Sequence, residues 1–369
     1  MSRKANPRSR PSGQGDPHLD RPWVRSRALD IHWENGRLVC ENFVRQTRAE
    51  INADAVALLE SFAKPIRPRR LGELGFSAAD LRRVVRQWAR LGFLLPKPDP
   101  VEGRIEAWQW GHAARHFLFG TRDAHRHVPV KDRLAYSKQL ARSGRQPSLY
   151  KNYSKAHRLP LDNSTAPASA VNRSLAGLRS CRDFRRALIP QSALAELLHL
   201  TWGEQGKIDT RPFPWGRLVE KTSYSAGYRN PIEVYPVVTA VEGLRPGLYH
   251  YSVRDHALEF LRPGRFAGLM RRVGAGQEWI RSASVYFLMT AVLDRTMFKY
   301  RHDFALRAVF GDAGHLSQSL HVAAAGLGLG AASTYALDHS RAEEFLGVDS
   351  AAEPFVCLSV VGIPRKGAK

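Results

Sequence analysis

Alternation of apolar and polar residues is the first clear pattern along the chain. Over residues 27–46, apolar side chains recur at every second position on both sides of Asn35-Gly36. Asn-Gly between two alternating runs is the strongest short-range signal for a β-hairpin with a type I′ turn. Two helical patterns follow, near residues 52–63 and 77–94, and Ser77 is placed to cap the second. A hairpin followed by helices predicts a small winged-helix-like domain over residues 27–100, a module that binds DNA or clamps peptides.

The second half of the chain reads as a mixture of helices and strands, beginning at about residue 176. Helices are predicted over residues 192–206 and over the long amphipathic run 303–328. Apolar runs of strand length lie at residues 232–241, 247–253, 284–293 and 354–364. Residues 101–175 are rich in Pro, His and Arg without clear periodicity, and they are predicted to form an irregular connection before a domain that spans 176–369.

Composition adds a strong positive charge to this picture. The 369 residues carry a formal net charge of +22 with 43% apolar residues. Such a charge suits an anionic partner, whether nucleic acid, an acidic peptide, a phosphate-bearing cofactor or a membrane surface, and does not choose among them. Residues 1–26 are polar and Pro-rich without an apolar core, which predicts a disordered basic arm and no signal peptide.

Other features point to a soluble protein of the cytoplasm. No apolar run reaches the length of a membrane-spanning helix, and Cys40, Cys181 and Cys357 are too widely spaced to suggest a disulfide framework or a zinc site. His112 and His116, with His125 and His127 after them, have spacing that suits a metal site but lack the carboxylate of a known motif. We therefore expect packed or exposed histidines and no metal.

Two segments suit a phosphorylated or planar ligand. Arg179 and Arg182 flank Ser180 just before a predicted helix, and two guanidinium groups with a hydroxyl could clamp a phosphate. Small residues at Ser225, Ala226 and Gly227 precede a Pro and a strand, which would let backbone amides approach a ligand. A basic loop and an ordinary loop are the alternatives for these two segments.

Two further segments have competing interpretations. Residues 326–332, GLGLGAA, fit a dinucleotide-binding pattern, but they follow a helix instead of a strand, so Gly326 or Gly328 is better explained as a helix C-cap. Lys299 and Tyr300 are adjacent just ahead of the long helix. They are either reactive groups aimed into a site or a solvated lysine beside a half-buried tyrosine.

Taken in order, these segments resemble the nitroreductase-fold flavoenzymes. The resemblance covers about residues 105–365 and is carried by RSCRDF at 179–184, SAGYRNPIEVY at 225–235 and AGH at 313–315. Within that fold the chain is most similar to the SagB-type, azoline-oxidising dehydrogenases of thiazole/oxazole-modified peptide biosynthesis. The resemblance implies an α+β fold, with an antiparallel or mixed central sheet flanked by helices in a domain-interlocked homodimer. It also implies that residues 27–100 form a peptide-clamp-like domain.

The resemblance also implies roles for individual residues around FMN. Arg179, Ser180 and Arg182 would hold the phosphate and ribityl end. Ser225, Ala226 and Gly227 would line the flavin ring, Gly328 and Gly330 would approach the cofactor from another side, and Arg365 would reach the phosphate. Lys299 and Tyr300 stand where azoline-oxidising members have a catalytic Lys-Tyr pair.

The chain departs from the family pattern at several positions. Leu178 stands where an Arg is usual, which could weaken the phosphate clamp. RHDFALR at 301–307 replaces the usual sequence after Lys-Tyr, and Asp312 replaces a frequent Glu. These departures concern the substrate more than the cofactor.

The expected function is therefore an FMN-dependent dehydrogenase that oxidises thiazoline or oxazoline rings of a ribosomally made peptide. The reaction removes one proton and one hydride; flavin N5 takes the hydride, and Lys299 or Tyr300 takes the proton. The sequence does not decide which of the two is the base. Expected partners are a precursor peptide with an acidic leader segment and a cyclodehydratase, and neither a membrane nor nucleic acid.

Two alternatives stay open. One is an FMN oxidoreductase of the same fold that acts on another peptide residue, a small heterocycle, a quinone or a nitroaromatic compound. The other is a nucleic-acid-binding regulator that uses its winged helix. A purified protein with flavin colour would distinguish the enzymes from the regulator.

Overall fold

The computed structural model describes residues 17–123, 169–211 and 217–365, together with residues 135, 138, 139 and 142. The chain divides into two compact units, residues 1–120 and 121–369. No helix in the described part of the chain is long and apolar enough to cross a membrane.

Residues 17–26 are folded, contrary to the prediction that they belong to a disordered arm over residues 1–26. Residues 1–16 lie outside the described part, but Pro17–Asp20 form helix α1 and Val24–Arg25 form strand β1. The Trp23 side chain is 2% exposed within the core of this unit, and its backbone pairs with Ile66. Burial of this single large apolar side chain explains the order, because it removes a large apolar area from water.

The predicted hairpin is confirmed. Strands β2 (Leu29–Glu34) and β3 (Arg37–Asn42) pair in antiparallel register, and a third strand, β4 (Thr47–Glu50), pairs with β3. Asn35 and Gly36 have φ of 50° and 77°, the positive values that a type I′ turn requires at both central positions. Asn-Gly adopts this conformation at low cost, which is why the local sequence sufficed to predict it.

Helices complete the first unit, and the two predicted ones are confirmed. They are α2 (Ala53–Glu60), capped by Asn52, and α3 (Ala78–Leu91), capped by Ser77, with a 3₁₀ helix (Pro68–Leu74) between them. Strand β5 (Leu94–Leu95) pairs with β1. Two more helices, α4 (Pro100–Glu106) and α5 (His112–Gly120), lie where irregular chain was expected. Asp99 caps α4 and Pro100 opens it, a start signal that is easily missed before so short a helix.

Two of the four histidines whose spacing suits a metal site pack against an aromatic ring in this unit. His112 and His116 lie against the Phe43 ring, and the Nε2 atom of His112 is 3.3 Å from Asp30. His125 and His127 lie outside the described residues. Among the residues that are described, no group of three or more His, Cys, Asp or Glu side chains could hold a metal ion.

The second unit contains nine strands among the described residues. They are β6 (Phe184–Arg185), β7 (Glu204–Asp209), β8 (Arg217–Lys221), β9 (Ile232–Val238), β10 (Gly247–Ser252), β11 (Ala257–Pro263), β12 (Val285–Ala291), β13 (Gly330–Thr334) and β14 (Phe355–Pro364). Six of them form an antiparallel sheet in the order β11-β10-β9-β12-β14-β13, and the short β6 joins it by pairing with the end of β14. Strands β7 and β8 form a separate hairpin. The four predicted strands are among these nine.

The helices of this unit cover the sheet. They are α6 (Ala170–Gly177), α7 (Gln191–Trp202), α8 (Ala267–Val273), α9 (Leu293–Met297), α10 (Ala305–Gly326) and α11 (His339–Leu346). The long helix α10 contacts α7, β13 and β14, and its buried side includes Val309, Leu316 and Leu320. Every residue of β12 is buried, as expected for a central strand covered on both faces. The expected α+β nitroreductase-like fold is therefore confirmed.

Candidate active site

The segment with the two arginines forms one wall of a groove at the β13 edge of the sheet. The backbone N–H of Cys181 donates to the Ala331 carbonyl of β13 (2.8 Å), and Phe184 pairs with Pro364 at the end of β14. These bonds fix Arg179 and Ser180 at the rim of a cavity of about 550 Å³. His321, Leu329 and Gly330 line the opposite side.

The charge of this groove is positive. The Arg179 guanidinium donates to the carbonyls of Ala176 (3.2 Å) and Leu178 (2.7 Å), and the side chain is exposed. Arg182 lies 5.7 Å from the Trp279 ring centroid. No carboxylate is among the described residues that line the groove. Arg179 and Ser180 line the groove, whereas Arg182 follows the lining residue Cys181 and is not itself part of the lining. A guanidinium group and a hydroxyl at the groove, with a second guanidinium group next to it, are suited to a phosphate dianion.

Arg365 lies beside this segment. Its backbone N–H donates to the Asp183 carbonyl, and its Nε atom is 3.1 Å from a carboxylate oxygen of Asp183. The ion pair is exposed, so an anionic ligand could compete with Asp183 for the guanidinium at small cost. Its role at the phosphate stays a prediction.

The two glycines predicted near the cofactor do different things. Gly328, with φ of 70°, ends α10: its N–H donates to Ala325 and the next N–H donates to Ala324, which is the Schellman pattern. This agrees with the C-cap expected from the sequence. At Gly330, an added Cβ atom would lie 2.6 Å from both Cβ and Sγ of Cys181. The space that a side chain at Gly330 would need is therefore taken by Cys181 of the protein itself.

The sequence analysis did not single out His321, which faces this groove from α10. Its Nε2 atom is 3.1 Å from the Ser333 hydroxyl, and Ser333 in turn lies 2.7 Å from the Ser359 hydroxyl. Burial lowers the pKa of His321, and the Arg182 charge lowers it further, so the neutral form is favoured. The sequence signal that could have identified His321 is a polar residue on the side of α10 that faces the sheet.

The second predicted segment forms a tight turn tied to α10. The buried carboxylate of Asp312 accepts from the Ser225 hydroxyl (2.6 Å) and from the Ala226 N–H (3.2 Å). The Ser225 oxygen also accepts from the Asn230 N–H (2.9 Å). Burial raises the Asp312 pKa, and these two donors oppose the rise. The polar groups of Ser225 and Ala226 therefore hold the turn in place. Gly227 is the next residue of this turn.

Lys299 and Tyr300 converge on this turn. A Cβ atom added to Gly227 would lie 2.3 Å from the Tyr300 hydroxyl and 2.8 Å from Lys299 Nζ. The pair follows α9, and the N–H groups of both residues donate to the Thr296 carbonyl. The Lys299 ammonium is 5.2 Å from the Tyr300 ring centroid, and both side chains are half-buried. The geometry brings together the two motifs that the sequence places about 70 residues apart.

Arg229 closes the other side of the pair. Its Nε atom donates to the Arg295 carbonyl (2.6 Å), and its guanidinium lies 5.2 Å from the centroid of the exposed Phe298 ring. Burial lowers the pKa of Arg229, and Tyr300 opposes that change. The Arg229 guanidinium is therefore held in place by the Arg295 carbonyl and Phe298, two residues after Gly227 in the chain.

The groove and the Lys299–Tyr300 turn lie on opposite faces of α10. Asp312 accepts a hydrogen bond from the turn. Ser319, two helical turns further along the same side of α10, has its hydroxyl oxygen 2.8 Å from the Ser223 hydroxyl oxygen. His321 faces the groove and β13 instead. Asp312 and His321 are nine residues apart on α10, which is two and a half helical turns or about 14 Å along the axis. Within one chain, the two halves of the predicted site therefore point away from each other.

Gly227→Ala is expected to reduce turnover about a hundredfold while the protein stays folded. The new methyl group would collide with the Tyr300 hydroxyl and the Lys299 ammonium, which can move aside, and displacement of reacting groups by about 1 Å costs about that factor. Gly347→Ala is the matched control, because its φ of 74° carries the same backbone cost and its Cβ would meet open space. Equal losses of rate in both variants would contradict a role for the contact.

The fold and the two half-sites define a class of protein: an α+β domain with an antiparallel sheet, one long helix and a cationic groove suited to a phosphate. Residues 175–363 match the model of the nitroreductase family. The chain belongs to the nitroreductase family. Members of this family typically use a flavin, as the groove chemistry suggests.

Several curated relatives are known. The trifolitoxin-processing protein TfxB of Rhizobium leguminosarum bv. trifolii is 32% identical over 161 residues, which cover 42% of this chain and 43% of TfxB. The protein MJ1384 of Methanocaldococcus jannaschii, whose name describes it as a nitroreductase, is 29% identical over 155 residues, which cover 42% of this chain and 74% of that protein. This chain therefore matches less than half the length of TfxB.

Solved structures are also similar. A nitroreductase from Anabaena variabilis ATCC 29413 superposes with a TM-score of 0.44 at 27% identity, covering 53% of this chain and 38% of that one. The E. coli microcin synthetase McbBCD complex with truncated pro-MccB17 gives a TM-score of 0.46 at 17% identity, covering 63% and 82%. With scores below 0.5, neither superposition carries the assignment, which rests on the family match.

Proposed function

We propose that this protein is a SagB-type, FMN-dependent dehydrogenase that oxidises azoline rings of a ribosomally made peptide to azoles. The observation that carries the proposal is the convergence of Lys299 Nζ and Tyr300 Oη on Gly227. Two groups that can accept a proton meet there, beside a turn whose glycine has no side chain. The identity to TfxB, whose name describes the processing of trifolitoxin, supports a role in processing a biosynthetic product.

FMN fits the groove at the β13 edge. Arg179 and Ser180 in its wall would hold the phosphate, and Arg182 and Arg365, which lie next to that wall, would add to its positive charge. Gly328 leaves open space where a Cβ atom would stand, and Gly330 lines the groove wall. Because this turn faces away from the groove of its own chain, the Ser225, Ala226 and Gly227 turn would border the ring of the flavin held by the other chain of a homodimer. When bound, the flavin supplies the hydride acceptor for the oxidation.

The residues of this chain would handle the proton. Either neutral Lys299 or the Tyr300 phenolate removes the proton from the azoline carbon, within hydrogen-bond reach of a ring held against Gly227. Arg229 would stabilise negative charge on Tyr300. The bond from carbon to that hydrogen breaks, its electrons stay in the ring, and the second hydrogen leaves as hydride, which gives the aromatic azole. The exposed Phe298 ring could exclude water from the substrate ring.

The direct test uses the purified full-length protein and an azoline-bearing peptide. We expect flavin absorbance and a loss of 2 Da per ring by mass spectrometry. Turnover of quinones or nitroaromatic compounds without any mass loss across a peptide panel would favour the alternative, a nitroreductase-fold oxidoreductase of small molecules. A colourless protein that shifts DNA would overturn both.

We further propose that the active form is a homodimer with shared sites, because the two half-sites face opposite sides of α10 in one chain. Co-expressing Arg179→Ala/Arg182→Ala with Lys299→Ala, each inactive alone, is then expected to restore about a quarter of wild-type activity. Random pairing makes half the dimers heterodimers, and each of these has one intact site of two. No restoration, despite heterodimers confirmed by two affinity tags, would place both halves in one chain's site.

The first unit offers a surface for the acidic leader of a precursor peptide. A groove of about 560 Å³ between α3 and β4 is lined by five arginines. They are Arg48, Arg82, Arg83, Arg86 and Arg90. Strand β4 is the outer strand of its three-stranded sheet, so its free edge could pair with an extended peptide. We propose that this groove binds the leader, and that a cyclodehydratase supplies the azoline rings in the same reducing cytoplasm, consistent with three free cysteines.

Binding of an acidic leader peptide is expected to weaken strongly with salt. Exposed charge pairs are screened within about 8 Å at physiological ionic strength, so raising salt from low to molar levels should reduce affinity at least tenfold. Fluorescence anisotropy with a labelled acidic peptide would measure this. Arg82→Gln/Arg86→Gln should flatten the salt dependence, and Arg265→Gln, an exposed arginine of the second unit, should not. Flat affinity in the wild type would refute an electrostatic clamp.

A further inference from the structure

A third cavity, of about 640 Å³, opens beside the turn that Lys299 and Tyr300 contact. Tyr228, Arg229 and Asn230, which directly follow Gly227, form one of its walls. The hairpin of β7 and β8 forms another, and residues at the end of β10 form a third. A substrate held at Gly227 would therefore have this cavity next to its reacting ring.

The carboxylates in the walls are already engaged. The pairs are Glu204 with Lys207 (3.7 Å), Glu233 with Arg295 and with His250 (3.1 Å), Glu259 with His250 (2.6 Å), and Asp255 with Ser252 (2.7 Å). Glu204 and Glu233 pair with a lysine or an arginine, whereas Asp255 accepts from a neutral hydroxyl. Six Lys and Arg side chains line the cavity against these four carboxylates, so its net charge is positive.

Several cations of the same cavity have no such partner. Arg217, Lys221 and Arg254 line it, and among the residues that the structure describes none of them has a carboxylate within 4 Å. Lys221 is the most telling because it is half-buried at the end of β8, four residues before Ser225. Its cross-strand neighbour Glu204 pairs with Lys207 instead, so the Lys221 ammonium is partly desolvated without a carboxylate in ion-pair contact, and a bound anion would offset that cost.

The electrostatics of Lys221 agree with this geometry. Burial lowers the pKa of Lys221, Glu233 and Glu204 oppose the change from beyond ion-pair distance, and Arg295 adds to it. An anion entering the cavity would raise this pKa and hold the ammonium form. The carboxylates of the cavity therefore offset only part of its positive charge, and a bound anion would offset more of it.

We propose that this cavity is a subsite for a carboxylate of the peptide substrate, contributed by an acidic residue flanking the reacting ring. The proposal rests on the proposed function, because it adds a substrate class to the same site. A carboxylate suits the cavity better than a phosphate, since Glu233 and Glu204 nearby would repel a dianion more than a single charge. Arg217 and Arg254, at the exposed side, can offer planar bidentate contacts to the carboxylate that Lys221 holds as a point charge.

The test measures binding without turnover, on the full-length FMN-loaded protein. Arg82→Gln/Arg86→Gln serves as the background, so that the groove of the first unit contributes little. Two short fluorescein-labelled peptides are compared, identical except that Glu or Gln flanks a central cysteine. We expect the Glu peptide to bind about tenfold tighter than the Gln peptide. Lys221→Met should remove most of that preference by weakening only the Glu peptide, and Arg265→Gln should keep it.

The other outcomes are equally informative. No preference for Glu in this background, or an equal loss for both peptides in Lys221→Met, would overturn the subsite. Loss of flavin absorbance in Lys221→Met would instead assign the lysine to the cofactor and would also overturn it. The result is independent of the azoline chemistry: a protein that prefers the Glu peptide but never removes 2 Da per ring would retain the subsite and lose the proposed reaction.

Discussion

Lys299→Ala is expected to abolish azoline oxidation, with a fall in rate of about 10²–10⁴, while the protein remains yellow. The reason is that general-base catalysis contributes about that factor, and Lys299 Nζ lies at the point where a substrate ring would meet Gly227. Tyr300→Phe should have a similar effect if the phenolate is the base, and a smaller one if it only assists the lysine. Mass spectrometry measures the loss of 2 Da per ring, and absorbance measures bound flavin.

The matched control is Arg301→Ala, because Arg301 is the next residue along the chain and its side chain is exposed. Its rate should stay within about twofold of the wild type. The pH dependence of turnover in Lys299→Ala and Tyr300→Phe then identifies the base, since the limb that depends on the base disappears only when that base is removed. Loss of flavin in either variant would show that the pair supports the structure instead of the chemistry.

The elements with strong local signals were predictable from the sequence. The Asn35-Gly36 hairpin, α3 with its Ser77 cap, and α10 all have turn, cap or periodicity signals within a few residues. Strands β11 and β13 and the hairpin of β7 and β8 were not identified. Strand β11 is almost wholly exposed, and the strands of the β7–β8 hairpin are only partly buried, so neither has an apolar run that would identify it. Strand β13 has five residues, and its pairing with β14 decides its conformation.

The site was predictable in its motifs but not in its supports. The arginine segment, the Ser-Ala-Gly turn and the Lys-Tyr pair could be identified by resemblance to a family. The Asp312 contact with Ser225 joins residues 87 positions apart, and the unpaired charge of Lys221 depends on which carboxylates lie near it. Such properties arise only when the chain folds. For the same reason, the sequence could not show that the groove and the turn lie on opposite faces of α10.

The buried ion pair between Arg122 and Glu343 is expected to be essential for the stability of the second unit. Both side chains are buried, and Glu343 on α11 also accepts from the Phe355 N–H (3.1 Å) of β14. The next residue, Asp123, accepts from the N–H and hydroxyl of Ser340 at the start of α11. Arg122→Ala leaves the Glu343 charge buried, so we expect a loss of about 3–5 kcal/mol in the free energy of unfolding, measured by urea titration at neutral pH.

The pH dependence of that loss identifies its cause. Burial raises the pKa of Glu343, and Arg122 opposes the rise. Without Arg122 this pKa rises further, so protonation of Glu343 on acidification relieves the buried charge, and the deficit of the variant should shrink as pH falls. His339 acts in the same direction, because burial first and Arg122 second lower its pKa to about 4, and removing Arg122 reduces the acid destabilisation that this lowered value causes.

Arg122→Ala/Glu343→Gln separates the charge from the packing. Glutamine retains an oxygen for the Phe355 N–H and carries no charge, so the double variant should recover much of the stability lost in Arg122→Ala and show a smaller dependence on pH. A double variant as unstable as the single one, with a deficit that does not change with pH, would assign the loss to the missing arginine side chain and its packing. In that case the Arg122 side chain would stabilise the contact between the start of the second unit and α11 mainly through packing, and its charge would contribute less.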